Sequence, residues 1–369
     1  MRDLAGFTVA VASQRRRHDL AALLETEHAR TVNVQAVRSV AQADVDLVVA
    51  ATRACVESPV HEVIVSSAFG LRAWLRIAGA HGHLGAVVER FQEARLLARD
   101  AHAADTLRGL GLSQIWATAS ATVEDLFRYL LAQPMVGRRV VVQVESEHHR
   151  ELCAALRVKG AIVVEVVTSR FLPPLRTDVL RRLCLAVVRR QVDAVALTGE
   201  AATRNLLRQA EADGLRDDVL NAFADGVTAA CLGPLAAAPL REHGLTPVVA
   251  STPDPTDLVR DLAVRLPSHA LALEVHGYRV QVRSQSIAVD GHVVPVQHGP
   301  IAVLRTLARH PGRVVSPAEI RVDSPAWSEV DDHAIEMAVS RLRRAFHGTP
   351  LAGVDLIQTV VRRGYRLAA

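Results

Sequence analysis

Near the carboxyl end, residues 331–369 read DDHAIEMAVSRLRRAF, HGTPLAGVD and LIQTVVRRGYRLAA, and their side chains suit contact with a polyanion. Ile335, Val339, Leu342 and Phe346 recur at steps of four, three and four, so the spacing predicts an amphipathic helix with that stripe turned to a core. His333, Met337, Ser340, Arg341 and Arg344 fall on the other side. Asp331 and Asp332 at its start and arginines at its end suit a cap and the helix dipole. A short basic helix of this kind fits a DNA major groove. After it, the β-branched run Ile357–Val361 is broken by Arg362-Arg363-Gly364 before Tyr365, Arg366 and Leu367 resume an extended pattern. That is a hairpin with a basic tip, able to lie on phosphate or enter a narrow minor groove. On charge alone the same residues also suit a solvated helix and a terminal hairpin.

Upstream elements must position this pair. Ile301, Leu304, Leu307 and Ala308 form a second helical stripe ending at Arg309-His310-Pro311-Gly312. Before it, LEVHGYRVQVRSQSIAVDGHVVPV alternates at period two, with turns at His276-Gly277 and Asp290-Gly291, which predicts a small antiparallel sheet. With LRTLARHPGRVVS, SRLRR and QTV..RGYRL in order, residues 271–369 resemble the OmpR/PhoB-type winged-helix effector domain. The resemblance implies that Met337, Arg341 and Arg343 face bases or backbone of double-stranded DNA and that Arg362 or Arg363 reaches the minor groove. His333, Ser340, Arg344 and Arg366 complete the expected interface.

Composition bounds the remainder. The 369 residues are 50% hydrophobic, enough for two or three cores. No long uncharged apolar run and no signal-like start is present, so a cytoplasmic protein without a membrane partner is expected. Residues 268–369 hold 12 basic against 9 acidic residues, whereas residues 1–267 hold 31 against 30; the basic excess belongs to the carboxyl-terminal part. Only Lys159 is a lysine, which points to a GC-rich genome and discounts arginine counts as such. Cys55, Cys153, Cys184 and Cys231 are widely spaced in apolar settings and read as reduced core thiols.

Residues 1–267 contain an ordered repeat. FTVAVAS (7–13), a polar loop and a helix recur as VVVQVES (140–146) and its helix; residues 60–82 mirror 192–214; residues 94–112 mirror 229–245. Strands alternating with helices predict an α/β fold: two doubly wound parallel-sheet lobes, followed by the winged helix-turn-helix domain. Loops leaving the strands' carboxyl ends would carry Arg15, Arg16, Arg17, Ser66, Ser67, Ser120, His149, Arg150, Thr198, Gly199, Gly233 and Pro234, with Ser169 of the crossing strand completing the candidate cleft. Hydroxyls, arginines and helix N-termini suit an anion. His148 and His149 are adjacent, so a metal there would need ligands from elsewhere.

This half resembles uroporphyrinogen-III synthase, in which the chain builds part of one lobe, crosses to the second and returns. The resemblance implies lobe 1 over residues 1–34 and 172–267, lobe 2 over 35–171, a linker at Pro267-Ser268-His269, and closure of a linear tetrapyrrole without any cofactor. It also shows departures. Ser169-Arg170 stands where the family has tyrosine before arginine; Gly233-Pro234-Leu235-Ala236 lacks the threonine of the family's G-P-x-T turn; and Glu145-Ser146-Glu147-His148-His149 replaces a glycine-rich turn with acidic bulk. These suggest a synthase scaffold reused to sense an anion, a tetrapyrrole or a partner regulator and to bias DNA binding, in a fusion similar to actinobacterial regulators of nitrate assimilation. An active synthase carrying a DNA-binding tail is the alternative.

Overall fold

The computed structural model describes residues 3–13, 18–41, 44–117, 123–145, 147–176, 178–252, 254–327 and 331–368. The chain opens with β1 (Thr8–Ser13), α1 (His18–Thr26) and β2 (Arg30–Gln35). It continues through β3 (Arg38–Ala41), α2 (Val45–Val56), β4 (Glu62–Val65), α3 (Ala68–Ala80), α4 (Leu84–Glu93), β5 (Arg95–Ala98), α5 (Ala101–Arg108), β6 (Ile115–Ala117) and α6 (Val123–Leu131). The pattern restarts at β7 (Arg139–Val144), α7 (Glu147–Val158), β8 (Ile162–Val167) and β9 (Ser169–Leu172). Then follow α8 (Asp178–Val188), β10 (Ala194–Leu197), α9 (Glu200–Ala212), α10 (Arg216–Ala224), β11 (Thr228–Cys231), α11 (Pro234–Arg241), β12 (Val248–Val249) and α12 (Pro255–His269).

Two parallel five-stranded sheets result, ordered β12-β11-β10-β1-β2 and β6-β5-β4-β7-β8. Their orders correspond strand for strand, and the way the chain fills them explains the repeat. Each half of the repeat supplies a strand pair and a strand trio, and the trio joins the sheet of the other half's pair: β1-β2 sits with β10-β11-β12, and β7-β8 with β4-β5-β6. Accordingly the chain divides into two compact units, residues 1–37 with 173–369, and residues 38–172. The expected single strands at 31–40 and 161–171 are each broken in two, because β3 and β9 leave the parallel sheets to pair antiparallel with each other, Arg38 opposite Leu172.

Helices cover the sheets, so β1, β4 and β10 are buried at every position. In the unit of residues 38–172, Trp74 anchors the core: it meets Phe91 edge-on at 5.4 Å and its indole N–H donates to the Thr52 hydroxyl at 2.9 Å.

The remaining elements are β13 (Leu271–Val275), β14 (Tyr278–Val282), β15 (Ser286–Val289), β16 (His292–Pro295), α13 (His298–Arg309), β17 (Val314–Val315), α14 (Pro317–Asp323), α15 (Asp332–Phe346), β18 (Ile357–Val360) and β19 (Gly364–Leu367). β13 to β16 form an antiparallel meander, and two of its turns, His276-Gly277 and Asp290-Gly291, hold both residues at positive φ as two-residue hairpins favour. The expected linker is corrected here: Pro267, Ser268 and His269 are the last turn of α12, and only Ala270 separates that helix from β13. A proline so close to a helix end forfeits one backbone bond and does not stop the helix.

All four cysteines are buried free thiols. Burial pushes Cys55 up to about 11 and Cys153, Cys184 and Cys231 up to about 12. An unfolded thiol titrates at about 8.5, so the neutral thiols favour the fold fully below that pH, and the contribution is lost as pH rises towards the folded values. Thiol titration at about pH 8 should therefore find no reactive cysteine in the native chain and all four after denaturation, while Tm should fall above about pH 9. Fast labelling of native Cys184 or Cys231 would contradict this burial.

Candidate functional site

In the carboxyl-terminal region α15 is fixed at its start by the Asp331 carboxylate, which accepts the Ala334 N–H at 2.9 Å. Ile335, Val339, Leu342 and Phe346 are buried, as their spacing predicts, in one core with Ile301, Leu304 and Leu307 of α13. The opposite face leaves His333, Met337, Ser340, Arg341 and Arg344 exposed. Arg341 donates to the Gln297 side chain at 3.1 Å, at the head of α13, and His333 approaches Glu336 at 3.6 Å. α14 is held by a reciprocal cap between Ser316 and Glu319, and Arg321 pairs with Asp332 to tie it to the start of α15.

Arg343 departs from its expected part. Its guanidinium donates to the Ile357 carbonyl at 2.9 and 2.6 Å and to the Thr359 hydroxyl at 2.7 Å, so it braces α15 against β18. Helical spacing places it at the margin of the buried stripe, where a partner on the adjoining strand is within reach. At the wing, Arg362 lies in the left-handed region, the Arg363 N–H closes the turn onto Val360 at 2.9 Å, and both side chains are exposed. Arg366 donates across the strands to Gln358 at 3.2 and 2.6 Å. Gly364 makes the wing possible: its φ is +132° and a Cβ there would lie 2.1 Å from the Val315 carbonyl oxygen. Only glycine lets β19 pair with both β17 and β18.

The crests of the two parallel sheets hold the other expected residues, each set in its own unit. In the unit of residues 38–172, Ser67 caps α3 by accepting the Gly70 N–H at 3.0 Å, and its hydroxyl donates to the Glu145 carboxylate. Gln143 donates to the same carboxylate at 2.9 Å, Ser66 donates to the Gln143 carbonyl at 2.7 Å, and the Glu145 N–H donates to His149 Nδ1 at 3.2 Å. Glu145, Gln143, His149 and Ser66 are all buried. The Ser67 hydroxyl that could meet an anion is thus already joined to an internal carboxylate, and that of Ser66 to a backbone carbonyl. Arg150, exposed, lies 4.0 Å from Glu165. Ser169 begins β9 opposite Ala41, and Ser120 lies outside the described residues. Among the described residues no cluster of His, Cys, Asp or Glu suits a metal ion.

In the unit of residues 1–37 and 173–369, Thr198 donates to the Ala12 carbonyl at 3.3 Å, and Gly199 and Gly233 stand at the N-caps of α9 and α11 without a side-chain acceptor. Pro234 is the first residue of α11. Ala236, where the family's threonine is missing, is buried, and its carbonyl accepts the Thr203 hydroxyl at 2.8 Å. Arg15, Arg16 and Arg17 lie outside the described residues.

Residues 18–260 match the family described as uroporphyrinogen-III synthase HemD. The chain belongs to that family. Residues 291–367 match the C-terminal domain of transcriptional regulatory proteins, so a HemD module is fused to an OmpR/PhoB-type DNA-binding domain in a transcriptional regulator. The chain is 26% identical over 251 residues to the uncharacterized protein YjjA of Bacillus subtilis (strain 168), covering 67% of this chain and 91% of YjjA. Over 109 residues it is 33% identical to the response regulator protein PmrA of Pseudomonas aeruginosa, covering 29% of this chain and about half, 47%, of that regulator. A uroporphyrinogen III synthase variant from Thermus thermophilus shares the fold with a TM-score of 0.55 at 23% identity, covering 71% of this chain and all of that one. No described helix is long and apolar enough to cross a membrane.

Two substitutions separate bracing from contact in the DNA-binding domain. Arg343→Ala should cost about 1–2 kcal/mol, since it removes charged hydrogen bonds in a half-exposed setting, whereas Arg344→Ala should stay within about 0.5 kcal/mol. Urea denaturation of both variants checks this, and equal losses would contradict the assigned brace. Gly364→Ala should lower stability more than either.

Proposed function

We propose that this chain is a cytoplasmic regulator whose HemD half senses and whose winged helix reads double-stranded DNA. The observation that carries the sensing half of this reading is the Glu145 carboxylate. It takes the Ser67 hydroxyl and the Gln143 amide and fills the crest with an acidic side chain where an acidic tetrapyrrole would bring carboxylates of its own. Ala236 offers no hydroxyl, and Ser169 offers no phenol. Binding of an anion at the uncapped α9 and α11 termini, or of a partner regulator, is compatible with the fold, while turnover of a linear tetrapyrrole loses its positioning groups. A nitrogen-assimilation regulon is the physiological setting that the resemblance suggests. We place the boundaries of the three parts a few residues from the expected 1–34 with 172–267 and 35–171, at residues 1–37 with 173–270, 38–172 and 271–369, since β2 runs to Gln35, β9 to Leu172 and α12 to His269.

For the DNA-reading half, Arg341 and Arg344 project from the face opposite the buried stripe, so at least one meets a base edge, where a bidentate arginine–guanine pair discriminates by about 1–3 kcal/mol. Arg362 and Arg363 at the wing tip meet phosphate or the minor groove.

Gel-shift titration of the full chain on specific and scrambled duplexes at two salt concentrations tests the interface. Arg341→Ala or Arg344→Ala should relax sequence preference, whereas Arg363→Ala should weaken both duplexes alike and lower the salt slope by about one. Silence of all three would remove the interface. Separately, the purified chain should not close hydroxymethylbilane to the type III product above the spontaneous background; product above it would restore the enzyme as the better reading.

A further inference from the structure

Within the unit of residues 1–37 and 173–369, a cavity of about 300 Å³ lies where the amino-terminal edge of the β12-β11-β10-β1-β2 sheet meets the DNA-binding domain. Its lining is basic: Arg190, Arg265, Arg305 and Arg309 against Asp193 and Asp225. Both aspartates are already engaged. Asp193 accepts the Thr8 and Ser284 N–H groups, each at 2.8 Å, and the Ser284 hydroxyl at 2.5 Å. Asp225 holds Arg190 at 3.0 Å and Arg309 at 3.5 Å.

Arg305 feels the charge of Asp193 but bonds to neither aspartate. Among the described residues its guanidinium has no hydrogen bond and no ion pair, and its Nε is shut off from solvent. An ionised guanidinium in that setting is costly unless a partner is supplied. Burial pulls its pKa down to about 10; the Asp193 charge opposes that most strongly, the charges of Arg190 and Arg309 add to the fall, and Asp225 opposes it, which still leaves Arg305 charged at neutral pH. The cavity lining therefore carries four arginines against two aspartates, with the Arg305 Nε left without a hydrogen-bond partner. One wall, with Phe7, Phe223, Leu245 and Val248, is apolar.

We infer that this cavity binds a small phosphate-bearing molecule, its oxyanion on Arg305 and Arg309 and its carbon skeleton on the apolar wall. Fork-shaped guanidinium donors match a phosphate group, and the volume exceeds what one oxyanion fills, which favours a phosphomonoester over free phosphate. Arg190 lies between α8 and β10, beside the sheet, and Arg305 and Arg309 lie on α13 of the DNA-binding domain, so an occupant would bridge sheet and helix and tighten their docking. The site does not depend on any reading of the crests.

The test is thermal unfolding of the full chain with inorganic phosphate, with ribose 5-phosphate, and with chloride at matched ionic strength. Either phosphate should raise Tm saturably above the chloride control, ribose 5-phosphate saturating at the lower concentration. Equal half-saturation for the two would reduce the site to one for the free ion and overturn the organic ligand. Arg305→Met should abolish the shift. Arg309→Gln, on the exposed end of α13 and safe for folding, should raise the half-saturating concentration at least tenfold. Absence of a saturable shift with both phosphates, or a shift unchanged in Arg309→Gln, would overturn the site.

Discussion

The Asp193 carboxylate sets the arrangement of the larger unit. It stands one residue before β10, buried, and accepts two backbone N–H groups and a hydroxyl drawn from β1 and from the turn between β14 and β15. Burial pushes this carboxyl up, and Arg305 with the donated hydrogen bonds opposes that shift. Losing the carboxylate would leave Thr8 and Ser284 donors unsatisfied in a dry place, at about 1–3 kcal/mol for each. Nearby contacts follow the same seam: Arg283 stacks over Phe7 at 4.2 Å and donates to the Ala5 carbonyl, and Ser286 donates to the Gly6 carbonyl at 2.9 Å. Gly6, at φ +78°, has no room for a Cβ, which would lie 2.5 Å from Ser286 Oγ. The DNA-binding domain is seated on the sheet's edge by hydrogen bonds, and no free tether intervenes.

The repeat carries a counterpart of this seam in the other sheet. In the unit of residues 38–172, His61 occupies the place of Asp193: its N–H donates to the Arg139 carbonyl at 2.9 Å while its Nδ1 accepts the Arg139 N–H at 3.0 Å. Asp193 does the same with Thr8, at 2.8 Å for each bond. A side chain that caps the neighbouring strand is thus common to both sheets. Only the carboxylate has a second oxygen and spare lone pairs to accept Ser284 as well. The seam therefore converts an ordinary feature of the sheet edge into a docking point, and it lies at the opposite end of the strands from Thr198, Gly199 and Gly233.

Much of this was legible in the sequence, for local reasons. The stripe Ile335 to Phe346, the positive-φ turns at His276-Gly277 and Asp290-Gly291, and the alternating lobes all follow from period and turn chemistry within about twenty residues. What escaped was decided at long range. Asp193 and Ser284 are 91 residues apart, and the one trace of their meeting is the Ser284-Gln285-Ser286 break in an otherwise alternating hairpin. Arg343 reads as one basic residue among three until β18 is laid beside α15. Pro267 reads as a linker because proline is a breaker on average, yet at the end of α12 it costs little. Glu145 was visible as an acidic intrusion, but its bond to Ser67 needed β4 and β7 to be neighbours.

Amide hydrogen exchange of the full chain tests most directly whether the DNA-binding domain and the first sheet are one cooperative body joined at Asp193. Peptides covering residues 3–13 and 278–289 should exchange together, at the slow rate of global opening, and Asp193→Ala should accelerate both sets alike. Fast exchange through residues 278–289 while β1 stays protected, unaffected by that substitution, would contradict the account.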